Sequence, residues 1–121
     1  INATPYDVNA YLGAASLLLQ QGQLERALPL LHASLSLKET STANKWIGQV
    51  LLYGNRPRDA LSFLEKAFNK EPNDPQLLFN LAGAYGLTSQ KNNAHRLLVR
   101  LEKLAPNFPR LDQLKQLLNQ P

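Results

Sequence analysis

The residue types that most often do chemistry are thinly spread in this chain of 121 residues. The two histidines, His32 and His95, stand far apart, with no carboxylates at matching intervals. A metal site needs several converging ligands, and there is no cysteine to supply one. The same absence removes disulfides and thiolate nucleophiles. Glu25, Asp59, Glu65 and Glu102 lie near basic residues, the pattern of solvated ion pairs rather than of a general acid and base. No strand-like run leads into a glycine-rich phosphate loop. The sequence implies no enzyme, no cofactor and no metal.

Charge offers a different chemistry. The net charge is +4, and all of it comes from the segment after Gln90: Lys91, Arg96, Arg100, Lys103, Arg110 and Lys115 face only Glu102 and Asp112. Arg96, Arg100 and Lys103 follow helical spacing and form one stripe. Tracking a nucleic-acid backbone usually also calls for aromatic stacking platforms, and only Phe108 is near. Nucleic acid is therefore disfavoured. The stripe reads as a solvated face, or as a surface for an acidic partner.

These residues must be positioned by helices. The chain is 44% apolar, and its apolar residues recur at three and four rather than alternating. No apolar run is long enough for a membrane span. Periodicity predicts helices at about 5–21, 23–38, 41–53, 57–70, 75–88, 91–104 and 109–119. Thr4-Pro5 should open the first, Asp74-Pro75 the fifth and Asn107–Pro109 the last, as polar caps followed by proline do. Gly22, Asn55 and Ser89 occupy matching turns.

The helices repeat. Ala15, Gly48 and Ala82 recur at intervals of 33 and 34, as do Ala27, Ala60 and Ala94, and Leu31, Leu64 and Leu98. Small residues at a helix crossing allow axes to approach to about 8 Å. This accounts for the glycine and alanine content of FNLAGAYG (79–86), with Gly83 and Gly86 left over to thin an inner face. Pro72-Asn73 and Pro106-Asn107 close the second and third units. The last segment carries Leu111, Leu114, Leu117 and Leu118 on one side and polar residues on the other, as a terminal capping helix should.

The period and these positions resemble the tetratricopeptide repeat (TPR) family, most closely in NLAGAY of the third unit. Lys38-Glu39 in place of Pro-Asn, Asn44 with Trp46 two residues on, and Pro29 inside a second helix depart from the family pattern. The resemblance implies an all-α, right-handed α-solenoid of antiparallel helix-turn-helix repeats. It forms one domain, 1–121, with repeats near 8–40, 41–74 and 75–108 and a cap at 109–119. The start at Ile1 suggests a piece of a longer chain. Absence of cysteine suits cytoplasm and bacterial periplasm equally, so the compartment stays unknown.

The resemblance further implies a protein-interaction module with a peptide in its concave groove. The groove residues would be Leu12, Ser16, Leu19, Lys45, Gln49, Leu52, Tyr53, Phe79, Asn80 and Gly83. A partial match to the family's carboxylate clamp runs through Lys45, Gln49, Asn80 and Arg110, with Leu114 where the last charge belongs. The alternative is an architectural spacer or oligomerisation segment with no groove ligand, and self-association stays open.

Overall fold

The computed structural model describes residues 7–119. Seven helices follow one another: α1 (Val8–Gln20), α2 (Leu24–Leu37), α3 (Ser41–Tyr53), α4 (Pro57–Lys70), α5 (Pro75–Leu87), α6 (Lys91–Leu104) and α7 (Leu111–Leu118). There is no strand among the described residues. α1, α3 and α5 each pair with the even helix that follows, α2 packs on α3, α4 on α5, and α7 rests on α5 and α6. Three hairpins and a closing helix make an α-solenoid, as the family resemblance implies.

The local reasons are legible residue by residue. The side chains of Asp7, Thr40 and Asp74 accept hydrogen bonds from the third amide beyond them, at 2.8, 3.2 and 3.2 Å, and so cap α1, α3 and α5. Capping of this kind satisfies an amide that the helix itself leaves free. The three tight turns share one left-handed residue, at Gly22 (φ 76°), Asn55 (φ 64°) and Ser89 (φ 64°). The next amide then reaches back five residues, Gln23 to Leu18, Arg56 to Leu51 and Gln90 to Tyr85, at 2.8–2.9 Å. That bond is the signature of a helix closed by a left-handed residue.

Two helix starts differ from expectation. The first helix begins at Val8 and its cap is Asp7; Thr4 and Pro5 lie outside the described residues. The last begins at Leu111 and has no side-chain cap, because Arg110 before it is left-handed. The Asn107–Pro109 stretch forms a turn instead, closed by Phe108 N–H to Ala105 O at 3.0 Å and Leu111 N–H to Phe108 O at 3.2 Å. This turn brings Phe108 onto Phe79, with ring centroids 5.3 Å apart.

The small-residue positions sit in the core. Ala15, Ala27, Ala60, Ala82 and Ala94 are fully buried, with Leu31 and Leu64 beside them. A Cβ on Gly48 would lie 2.4 Å from Leu64 Cδ2, so a side chain at this crossing would force Leu64 to move. Gly86 corrects the sequence reading. It does not simply thin the inner face: a Cβ there would meet Leu118 Cδ2 at 2.6 Å. Its bare backbone is what lets α7 close against α5. Pro29 lies inside α2, exposed, so the carbonyl it leaves without a partner can turn to water.

One face of α1 is unlike its counterparts. Ala43, Ile47 and Val50 in α3, and Leu77, Leu81 and Ala84 in α5, are buried beneath the preceding hairpin. The same register in α1 is Ala10, Ala14 and Leu17, also apolar, yet exposed. Leu17 is 56% exposed.

Candidate functional site

α5 packs against both α3 and α7, and the side chains along these contacts form two distinct clusters. At the N-terminal ends of α3 and α5, Lys45 Nζ lies 2.8 Å from Asp74 Oδ2 and 3.4 Å from Glu71 Oε1. Ser41 also donates to Glu71, and Asp74 still caps α5 through Leu77. Burial alone would lower the Lys45 ammonium. The hydrogen bond and charge of Asp74, joined by Glu71, outweigh it and hold the group above the ordinary lysine value. Burial likewise would raise Asp74, but the Lys45 hydrogen bond and the Leu77 amide leave its carboxyl below the usual range. Lys45 is thus a repeat-to-repeat strut, tying α3 to the loop before α5.

At the other end α3, α5 and α7 enclose a recess of about 260 Å³. Its walls are Leu52, Tyr53, Phe79, Gly83, Leu87, Leu114 and Leu117, with Asn80, Gln113 and Arg110 as the polar members. Tyr53 and Leu87 are 45% and 51% exposed, large apolar side chains left at its mouth. Nothing lies within 4 Å of a Cβ built on Gly83, so the glycine deepens the floor. Asn80 is fully buried; its Oδ1 accepts from Gln76 at 3.1 Å while its Nδ2 has no partner. Buried donors without partners are uncommon and call for an explanation. Arg110 reaches across from α7, its guanidinium carbon 5.0 Å from the centre of the Phe79 ring and Nη2 3.4 Å from Tyr53 Oη.

The expected groove residues therefore separate. Leu52, Tyr53, Phe79, Asn80 and Gly83 come together in the recess. Leu12 and Leu19 are half-buried and packed against the core, and Ser16 and Gln49 are half-buried on α1 and α3. Lys45 is held by two carboxylates, and Leu114 is buried. The clamp-like series thus has its first cation neutralised and no charge at its last position. Leu87, which the third unit's inner-face spacing also offers, lines the recess as well, and Gln113 and Leu117 join it from outside the expected groove. Leu114 and Leu117 read in the sequence as cap residues; the eight-residue α7 seals the last repeat and walls the recess at once.

The outer stripe is less free than its spacing implies. Arg100 Nε and Nη2 donate to Asn73 Oδ1 at 3.2 and 2.9 Å, fastening α6 to the loop before α5. Of the outward carboxylates, Asp59 pairs with Arg56 and Glu102 with Lys115, both at 2.8 Å. Glu65 instead accepts from Tyr85 Oη at 2.5 Å, and burial with this bond pushes the Tyr85 hydroxyl far above its ordinary pKa. His32 stands edge-on to Phe63 with centroids 6.0 Å apart. No group of three or more His, Cys, Asp and Glu residues gathers to hold a metal among the described residues. No described helix is long and apolar enough to cross a membrane.

Helical hairpins stacked at a 34-residue period, small at each crossing, define the class as a helical-repeat solenoid. The tetratricopeptide repeat model matches residues 51–118, more than half of the chain, and the chain belongs to that family. No curated protein shows a significant sequence match. Solved structures share the fold. YrrB, described as a TPR protein with an unusual peptide-binding site, is 18% identical with a TM-score of 0.78 over 93% of this chain. A MamA chain from Desulfovibrio magneticus RS-1 is 23% identical with a TM-score of 0.83, also over 93% of this chain. A further MamA structure gives 17% and 0.82 over 95%. The chain spans 59% of YrrB and 64% of the D. magneticus MamA chain. At these identities the likeness concerns the fold.

Proposed function

We propose that the domain is a protein-interaction module whose inner face holds an extended peptide segment, anchored in the recess between α3, α5 and α7. One observation carries this reading: an open apolar recess keeps the large side chains of Tyr53 and Leu87 exposed at its mouth, with the Arg110 guanidinium beside them over Phe79. Folding alone gives no reason to leave Tyr53 and Leu87 exposed around it. Interfaces of this kind draw most of their affinity from a few anchors in a pocket, with polar groups fixing orientation. The family membership supports interaction rather than catalysis. The YrrB description supports a peptide as the kind of partner.

The test selects peptides by display on the immobilised domain, then titrates one of them against variants. Leu87→Asn and Tyr53→Ser sit at exposed positions, so they leave folding intact and should each weaken binding about tenfold or more. Reversing Arg96 and Arg100 should alter mainly the low-salt association rate. A selected peptide that ignores both recess variants but is lost with the arginines places the partner on the acidic-partner surface instead.

An architectural role is favoured by a separate observation, the exposed Ala10, Ala14 and Leu17 register of α1. If the domain is chiefly a spacer or an oligomerisation segment, Leu17→Asp should change its assembly in sedimentation while recess variants change nothing.

A further inference from the structure

We infer that the segment bound in the recess carries a bulky apolar side chain next to an acidic one, whose carboxylate pairs with Arg110; the inference rests on the groove reading above and adds the chemistry of the ligand. Arg110 is exposed and makes no ion pair among the described residues. Its guanidinium has five N–H donors in a planar fork, and one long bond to Tyr53 Oη uses a single one. The Phe79 ring, its centroid 5.0 Å from the guanidinium carbon, holds the cation over the recess without satisfying its hydrogens. A carboxylate can therefore dock edge-on, the bidentate geometry that makes arginine–carboxylate pairs strong.

The volume sets the apolar part. About 260 Å³ is small for a cofactor or drug-sized ligand and suits one large side chain. Electrostatics then fixes direction. The groove's other cation, Lys45, already faces Asp74 and Glu71 and is not free to bind an acid. At the recess, Arg110 is the cation left without a carboxylate.

A side-chain carboxylate fits better than a chain terminus. Gripping a terminus takes several converging donors, and here Lys45 is engaged and position 114 is a buried leucine. One arginine fork suits one acidic side chain on a segment that runs through.

The experiment uses the isotope-labelled domain and three short probes, followed by amide chemical shifts. The first probe is acetyl-Gly-Leu-Glu-Gly-amide, the second its Gln analogue, and the third acetyl-Gly-Leu-Gly-Gly with a free C-terminus. The inference expects the Glu probe to move the Gly83 and Leu87 amides and the Asn80 side-chain amide. It should bind about tenfold tighter than the Gln probe, and that preference should shrink with added salt. Arg110→Gln should abolish the preference while leaving the weak binding of the Gln probe. Equal binding of Glu and Gln probes in the recess overturns the inference and leaves the groove reading standing. A free-terminus probe binding as tightly as the Glu probe overturns it in favour of a terminal carboxylate. Shifts confined to Arg96 and Arg100, or absent with all three probes, overturn both readings. Because salt dependence is measured on the unaltered protein, an Arg110→Gln variant that misfolds does not spoil the decision.

Discussion

Gly48 of α3 and Leu64 of α4 meet where no Cβ fits: one built on the glycine lies 2.4 Å from Leu64 Cδ2 and 2.5 Å from its Cγ. Leu64 is fully buried and cannot retreat. Gly48→Ala should therefore destabilise the domain by about 1–3 kcal/mol, the usual range for overpacking. Gly13 has nothing within 4 Å of the same construction. Gly13→Ala on α1 should stabilise by about 0.5–1 kcal/mol, because it only removes backbone freedom. Thermal melts of both variants check the pair. Equal effects would mean that the repeat crossing tolerates a side chain after all.

The turns give a second comparison. Asn55 and Ser89 hold the same left-handed backbone, φ 64° each, where the first hairpin has glycine. Asparagine tolerates that region and serine does so less well. Ser89→Gly should therefore raise stability by about 0.5–1 kcal/mol, and Asn55→Gly by less. Denaturant midpoints with unchanged slopes would report it.

Leu17 and Val50 are register twins with opposite surroundings, 56% and 5% exposed. Leu17→Asp should shift stability by no more than about 0.5 kcal/mol. Val50→Asp should cost more than about 3 kcal/mol, since it buries an unpaired charge between hairpins. If Leu17→Asp proved as damaging as Val50→Asp, something would have to cover α1.

Much of this was legible in the chain because a repeat is a local, self-consistent pattern. Gly22, Asn55 and Ser89 marked the turns, and the alanine and leucine series marked the crossings, each seen three times over. What stayed hidden depends on contacts that no period encodes. Gly86 read as a gap in the inner face until Leu118 came to lie against it. Lys45 read as a groove cation, yet Asp74 and Glu71, more than twenty residues away, claim it. Arg110 belongs to the recess only because a left-handed backbone before α7 sends its side chain over Phe79. In the last unit the helix starts late because Phe108 packs on Phe79, a tertiary preference that overrides the Asn-x-Pro signal.

The Lys45–Asp74 pair makes the last prediction. Asp74 has a folded pKa below its ordinary 3.8. Its contribution to stability is therefore present above 3.8 and lost as pH falls through the lower folded value. Lys45 has a folded pKa above its ordinary 10.5, so its contribution is present below 10.5 and lost as pH rises through the higher folded value. Between those limits both charges are in place. Lys45→Met keeps most of the buried stem but removes the charge, and should cost about 1 kcal/mol near neutrality, a modest figure because the pair is partly open to solvent. The gap between parent and variant should stay level across the middle of the pH range and narrow at both extremes. It narrows in acid because protonated Asp74 no longer needs the ammonium, and in base because Lys45 itself discharges. Urea unfolding of the two proteins at a series of pH values measures it. A gap that failed to narrow in acid would mean that Asp74 owes its low pKa to its cap on α5 rather than to Lys45.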